Sequence, residues 1–410
     1  MLRVIDASQA GELITRKAVR LSEAEATVAP ILEDIRRRGD AALFEYARRF
    51  DDLEGDSVIV PSTEFEQPVS DEFLRAVEVA AENIREYARM QLPRESSTEL
   101  ADGRRLGHIV RPLDSMGAYI PAGRYPLPST LLMTVIPAQV AGVRNICVAS
   151  PHPSPEILAA FQFCGAGRMF RMGGAQAIGA FAFGTESVPK VDRIVGPGNI
   201  YVAAAKKLLA GEVGIDFVAG PTEIVIIASE GDPRHIAADM LAQAEHDVEA
   251  SSILLTTSRS LAEQVAIEVG RQLAILPTAM VACEAIRKNS AVVLVRSIDE
   301  ALELSNRLAP EHLAIPDASL LPAVHNAGSV FIGPHSPEAA GDYASGPNHV
   351  LPTSGAARIR GGLSAADFVK VISIQELTAD ALKRLAPAIT TLARAEGREA
   401  HARSVEVRLG

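Results

Sequence analysis

Two short segments carry side chains able to do metal and proton chemistry. In Leu241-Ala242-Gln243-Ala244-Glu245-His246-Asp247, at the end of a run that starts near Pro233, Gln243 and His246 stand three apart. On a helix that spacing puts an amide oxygen and an imidazole on one face, where the two can ligate a metal. Alone, the segment equally suits a surface amide and a histidine favoured by the C-terminal dipole. In Ala309-Pro310-Glu311-His312-Leu313, Pro310 disfavours helical geometry for Ala309 and so ends a helix. Consecutive residues point in different directions, so Glu311 and His312 can serve two positions of one cleft. The carboxylate would activate water and the imidazole would take a proton near neutral pH. The stretch Gly341 to His349 is denser in turn residues and polar groups than a connector requires; as a tight loop it would use Asp342 and Asn348 to hold local turns.

Other patterns narrow the chemistry. Cys147, Cys164 and Cys283 are scattered without CxxC spacing, which indicates neither a disulfide framework nor a thiolate zinc site. Any metal must therefore use nitrogen and oxygen donors. Gly196-Pro197-Gly198 follows a strand and opens a helix, and Asp216 stands where a ribose-binding acid would be expected. Tyr201 replaces the third glycine, however, and would prevent the close helix–strand contact that a Rossmann fingerprint needs.

The elements that must position these residues read as an α/β protein. Apolar runs at Met116–Ile120, Ile146–Ala149, Met169–Met172 and Arg193–Val195 predict strands, with helices around 129–142, 155–164, 174–184 and 199–210. A second series predicts strands at Glu223–Ala228, Ser252–Thr256, Val292–Val295 and Val330–Ile332, with helices around 233–246, 258–273 and 298–308. Ala219-Gly220-Pro221 is the expected junction between two modules. The N-terminal part reads as helical: one helix from Ser22 to Arg38, a second from Asp40, and a third from Ser70 to Pro93. The tail from Thr378 is helical again, with Leu382, Leu385, Ile389 and Leu392 spaced for one buried face.

At 410 residues and 48% hydrophobic composition, the chain can fill two or three cores. No Trp and 4% aromatic residues leave Ala, Val, Leu and Ile to build them, which suits parallel strands covered by helices. A net charge of -11 and no basic stripe argue against nucleic acid. The longest apolar run, Leu131 to Val143, is interrupted and short of a bilayer span, and Met1 to Ala7 has no apolar signal core, so a cytoplasmic protein without a membrane partner is expected.

Taken together, seven blocks resemble the histidinol dehydrogenase family nearly end to end. They are Gly173 to Ile178, Gly184 to Asp192, Gly196 to Asn199, Gln243 to His246, Pro310 to Leu313, Gly341-Asp342-Tyr343 with Asn348 to Thr353, and Glu396-Gly397 with Ala400-His401. The resemblance implies an intertwined homodimer of two Rossmann-like but incomplete α/β modules with a helical N-terminal segment and a helical C-terminal tail. One module would comprise residues 1–118 and 224–362 with the N-terminal helices, a second, NAD-contacting module 119–223, and the tail 363–410. It further implies zinc-assisted, NAD-dependent, four-electron oxidation of L-histidinol to L-histidine through the aldehyde, with one zinc per subunit. By motif the zinc ligands would be Gln243, His246, Asp342 and His401. His312 would be the base on the alcohol and Glu311 the activator of water. Thr222, His349 and Glu396 would join these ligands and His312 around the substrate. Tyr119, Gln176 and Asn199 would contact NAD+.

This chain departs from the family pattern at Thr222 (usually Ser), at Ala118 and Ala122 beside Tyr119, and at Arg398. The segment Gly123-Arg124-Tyr125-Pro126-Leu127 also resembles that of sulfopropanediol dehydrogenases, so a paralogous dehydrogenase of another small polar alcohol is the alternative within enzymes. A zinc hydrolase using Glu311 without a cofactor is the alternative from a different class.

Overall fold

Runs such as Ile224-Val225-Ile226-Ile227 and Ala291-Val292-Val293 have apolar side chains on both faces, which suits strands covered by helices on both sides. The computed structural model, which describes residues 2–11, 13, 21–122, 125–218 and 220–410, uses them in this way. Its strands are β1 (Arg3–Asp6), β2 (Ser96–Glu99), β3 (Arg104–Pro112), β4 (Ser115–Tyr119), β5 (Asn145–Ala149), β6 (Arg168–Phe170) and β7 (Arg193–Val195). They continue with β8 (Gly214–Ile215), β9 (Glu223–Ile227), β10 (Ser251–Thr256), β11 (Ala291–Leu294), β12 (His312–Ile315), β13 (Ser329–Ile332) and β14 (Val369–Leu377).

Two parallel sheets result. One has the order β1-β11-β10-β9-β12-β13 and the other β6-β5-β4-β7-β8. Leaving aside the edge strand β1, both place the earliest strand of the series centrally, with the next two on one side and the last two on the other. That is the doubly wound arrangement, and its switch points lie between β9 and β12 and between β4 and β7. All eight expected strands are present, Arg193–Val195 with the expected bounds and the others with ends shifted by at most two residues. The short strands β1, β8 and β12 were not foreseen, nor was the antiparallel sheet β14-β3-β2, whose strands are largely half-buried or exposed and carry little hydrophobic signal.

The N-terminal helices require a correction to the expected domains. Helix Leu21–Arg38 turns Ala24, Val28, Leu32 and Ile35 onto helices Gly174–Phe183 and Ile200–Leu209, in one core with Phe170 and Phe181. Helix Asp71–Gln91 packs Val77, Ala80, Ala81 and Ile84 on the opposite side, against helix Pro128–Ala141. These helices therefore cover the two faces of the second sheet, and among the described residues of the N-terminal part only β1 joins the first sheet's ladder. The expected boundary at 118/119 also cuts through β4.

The tail helices Ala379–Ala395 and Glu399–Glu406 pack mainly on each other, and β14 pairs with β3. Of the expected stripe, Leu382, Leu385 and Ile389 are half-buried and Leu392 is exposed. Ala219, and Gly123 and Arg124 of the segment noted above, lie outside the described residues. Among the described residues no helix is long and apolar enough to cross a membrane.

Candidate active site

The reactive residues converge at the N-terminal edge of the first sheet, because β9 and β12 lie side by side and begin at neighbouring points. His312, the first residue of β12, pairs in register with Ile224 of β9. The helix ending at Leu308 stops where Ala309 enters the left-handed region at φ 49°, and the turn delivers Glu311 and His312 side by side.

Glu311 is buried and held by specific donors. Its Oε2 accepts from the Thr222 hydroxyl at 2.5 Å and from the Glu223 N–H at 3.0 Å. Burial raises its pKa above the usual carboxylate value. His312 is also buried; its Nδ1 stands 3.3 Å from the Glu223 carbonyl oxygen, and its Nε2 meets no hydrogen-bond partner among the described residues. With Nδ1–H donating to that carbonyl, Nε2 keeps a lone pair free to take a proton.

Helix Pro233–Ala244 brings Gln243 to its last turn, and His246 follows just beyond the helix end. Gln243 Nε2 donates to the Thr222 hydroxyl at 2.5 Å, so Thr222 bridges Gln243 and Glu311. The Gln243 oxygen position stands 2.6 and 2.9 Å from the Glu338 carboxyl oxygens and 3.2 Å from His312 Nδ1. An ionised Glu338 would demand an amide nitrogen there. Burial, reinforced by the charges of Asp342 and Glu311, raises the Glu338 pKa well above its usual range, and a carboxylic acid donates, so the amide oxygen fits that place.

Asp342 and Glu338 stand four apart on helix Glu338–Tyr343, hence on one face. Asp342 Oδ2 lies 3.7 Å from His246 Nε2, and its Oδ1 lies 3.9 Å from His312 Nε2. Burial opposes charge on both Asp342 and His246, but their mutual attraction prevails, lowering the carboxyl pKa and raising that of the imidazole. His246, Glu338 and Asp342 can each offer one donor atom, all within 4.8 Å of one another. This nitrogen and oxygen set suits a divalent transition metal such as zinc, whose charge would relieve the crowding of acids. Sequence reading missed Glu338, although its spacing of four from Asp342 was the available signal.

The sequence reading places His349 in the substrate pocket, yet both of its ring nitrogens are engaged. Nδ1 stands 2.7 Å from the Asp342 carbonyl and Nε2 3.1 Å from the Thr130 hydroxyl. Burial lowers its pKa and keeps the ring neutral, so it ties Asp342 to helix Pro128–Ala141 of the second module. Glu396 and His401 are exposed on the tail and do not join this cluster within one chain.

The same helix Pro128–Ala141 leads to the second sheet's switch point, where Tyr119 ends β4 and Gly196 follows β7. Gly196 has φ 113°, and a Cβ there would collide with the Tyr119 carbonyl oxygen, so only glycine fits. Asn199 caps helix Ile200–Leu209, its Oδ1 accepting from Tyr201 and Val202 N–H at 3.0 and 3.1 Å. Tyr119 is buried, and burial lifts its hydroxyl pKa to about 12, so it stays neutral. Asp216 corrects the expectation of a ribose-binding acid: it is buried in an ion pair with Lys206 and accepts from the Gly196 N–H at 2.8 Å. It braces the glycine loop from beneath. At the first sheet's switch point, Asp232 caps helix Pro233–Ala244 and pairs with Arg234, which puts an acid where a dinucleotide's phosphates would sit.

A pair of Rossmann-order sheets, a coupled acid and imidazole, and a nitrogen and oxygen cluster at their meeting define a two-module α/β enzyme site. The histidinol dehydrogenase family model matches residues 14–409. Histidinol dehydrogenase from Geobacter sulfurreducens is 48% identical over 401 residues, covering 94% of each chain, and that from Rhizobium meliloti is 46% identical, covering 97% of this chain and 94% of its own. The crystal structure of histidinol dehydrogenase from Elizabethkingia anophelis superposes with a TM-score of 0.94 at 38% identity, covering 100% of this chain and 98% of that one. The chain belongs to the histidinol dehydrogenase family.

Proposed function

We propose that this protein oxidises L-histidinol through L-histidinaldehyde to L-histidine with two NAD+, the final step of histidine biosynthesis. The observation that carries the reading is the free, buried Nε2 of His312 beside Glu311 and the His246, Glu338 and Asp342 cluster. Gln243, His246 and Asp342 would hold zinc with His401 of the partner subunit; bound there, zinc would template the substrate's nitrogen groups. Tyr119, Gln176 and Asn199 would hold NAD+, which accepts a hydride in each half of the reaction.

His312 takes the hydroxyl proton as the alcohol becomes an aldehyde. Glu311, its pKa raised by burial, takes a proton from the water that adds to the aldehyde. Thr222 keeps Glu311 and Gln243 in register, while His349 holds Asp342. Glu396 is assigned to the substrate pocket of the other subunit.

The direct test is NADH formation at 340 nm with histidinol, set beside other small polar alcohols including sulfopropanediol. Chelation is expected to abolish turnover and zinc to restore it, because a template without its metal loses binding and orientation. Full activity in metal-free protein would refute the zinc assignment.

Thr222→Ser is expected to be near neutral, since the hydroxyl that links Gln243 to Glu311 remains. Thr222→Val removes the acceptor of Gln243 Nε2 and one of the two donors to Glu311 Oε2, at a cost of about 1–3 kcal/mol, and should raise KM for histidinol roughly tenfold to a hundredfold. An unchanged KM in the Val variant would show that the bridge is idle.

A further inference from the structure

The start of helix Gly174–Phe183 is a natural place for a dinucleotide's phosphates, since its first N–H groups lack partners within the helix. Here it is already filled. Asp51, at the end of helix Asp40–Phe50 and 4% exposed, accepts with Oδ2 from the Gly173 N–H and from Gln176 Nε2, both at 2.9 Å. The next N–H, that of Gly174, donates to the Tyr119 hydroxyl at 3.1 Å. Fit is close: a Cβ on Gly173 would lie 2.7 Å from Asp51 Oδ1, and one on Gly174 would lie 2.8 Å from Gln176 Oε1. The residue after Asp51, Asp52, has φ 49°, a conformation unusual for a side-chain-bearing residue.

A buried carboxylate accepts and does not donate, so it fixes which end of the Gln176 amide is turned away from it. We propose that Asp51 is a positioning residue for the cofactor: it occupies the start of this helix in place of phosphate and holds Gln176 with its oxygen outward, as an acceptor for a donor group of NAD+. This rests on the assignment of Gln176 to the cofactor. Gln176 Oε1 lies on the side of Gly174, while Nε2 is turned to Asp51.

Asp51→Leu keeps the shape but removes the oxygen that accepts from both Gly173 N–H and Gln176 Nε2, so nothing fixes which end of the Gln176 amide faces the cofactor. KM for NAD+ should rise about tenfold, with kcat, KM for histidinol and zinc content unchanged. Adding Gln176→Glu should bring KM for NAD+ back to within about threefold of wild type, because both oxygens of a carboxylate accept and an acceptor then faces the cofactor whichever way the group turns. A merely structural role would lower the melting temperature and disturb both substrates alike, without rescue. Should the single variant be recovered unfolded, the double variant decides: a KM for NAD+ that stays tenfold raised overturns the proposal. Gln176→Ala separates the two claims. An unchanged KM for NAD+ there removes the cofactor assignment itself, whereas a rise there with no rise in a folded Asp51→Leu overturns the part played by Asp51.

Discussion

His312→Ala is expected to lower kcat for histidinol roughly a hundredfold to ten-thousandfold, the usual worth of a positioned general base. The variant removes the only buried nitrogen in the cluster without a partner among the described residues, while leaving Gln243, His246 and Asp342 in place, so zinc content should not fall. Glu311→Gln should act differently. Its amide still meets Thr222 but cannot take a proton from water, so oxidation of supplied histidinaldehyde should suffer more than oxidation of histidinol. Stopped-flow measurement of NADH formed from each substrate resolves the two steps. Equal damage to both steps in both variants would refute the division of labour.

Co-expression of His246→Ala with His401→Ala is expected to restore about a quarter of wild-type activity from two inactive chains. The tail motivates this: it packs mainly on itself, leaves Leu392 exposed, and holds His401 and Glu396 away from its own chain's cluster. A metal site of three protein donors and a tail carrying a fourth are both completed if each tail crosses to the other subunit. Random pairing then yields half mixed dimers, each with one intact site. If the tail served its own chain, every site would keep a lesion and no activity would return. Measuring activity on mixed dimers purified through two different affinity tags settles the outcome.

Much of the arrangement was legible because it depends on local rules. Alternating apolar runs and helices specify parallel sheets, since strands buried on both faces must be apolar throughout. Pro310 marked the turn before Glu311, and Tyr201 in place of a glycine excluded an orthodox phosphate-binding turn. Both readings rest on backbone sterics that each residue carries with it.

What the chain alone could not reveal depends on partners distant in sequence. The N-terminal helices have apolar stripes, but a stripe does not say which sheet it will cover, and the second sheet claimed them. Asp216 had the position of a ribose ligand until Lys206 folded against it and buried its charge. Glu338 became part of the metal-capable cluster only because helix Glu338–Tyr343 packs beside helix Pro233–Ala244, and Asp51 took over a helix start 122 residues away. The chemistry of a carboxylate is written in the sequence, whereas its protonation state, orientation and partners are set by the dielectric and the donors that tertiary packing places around it.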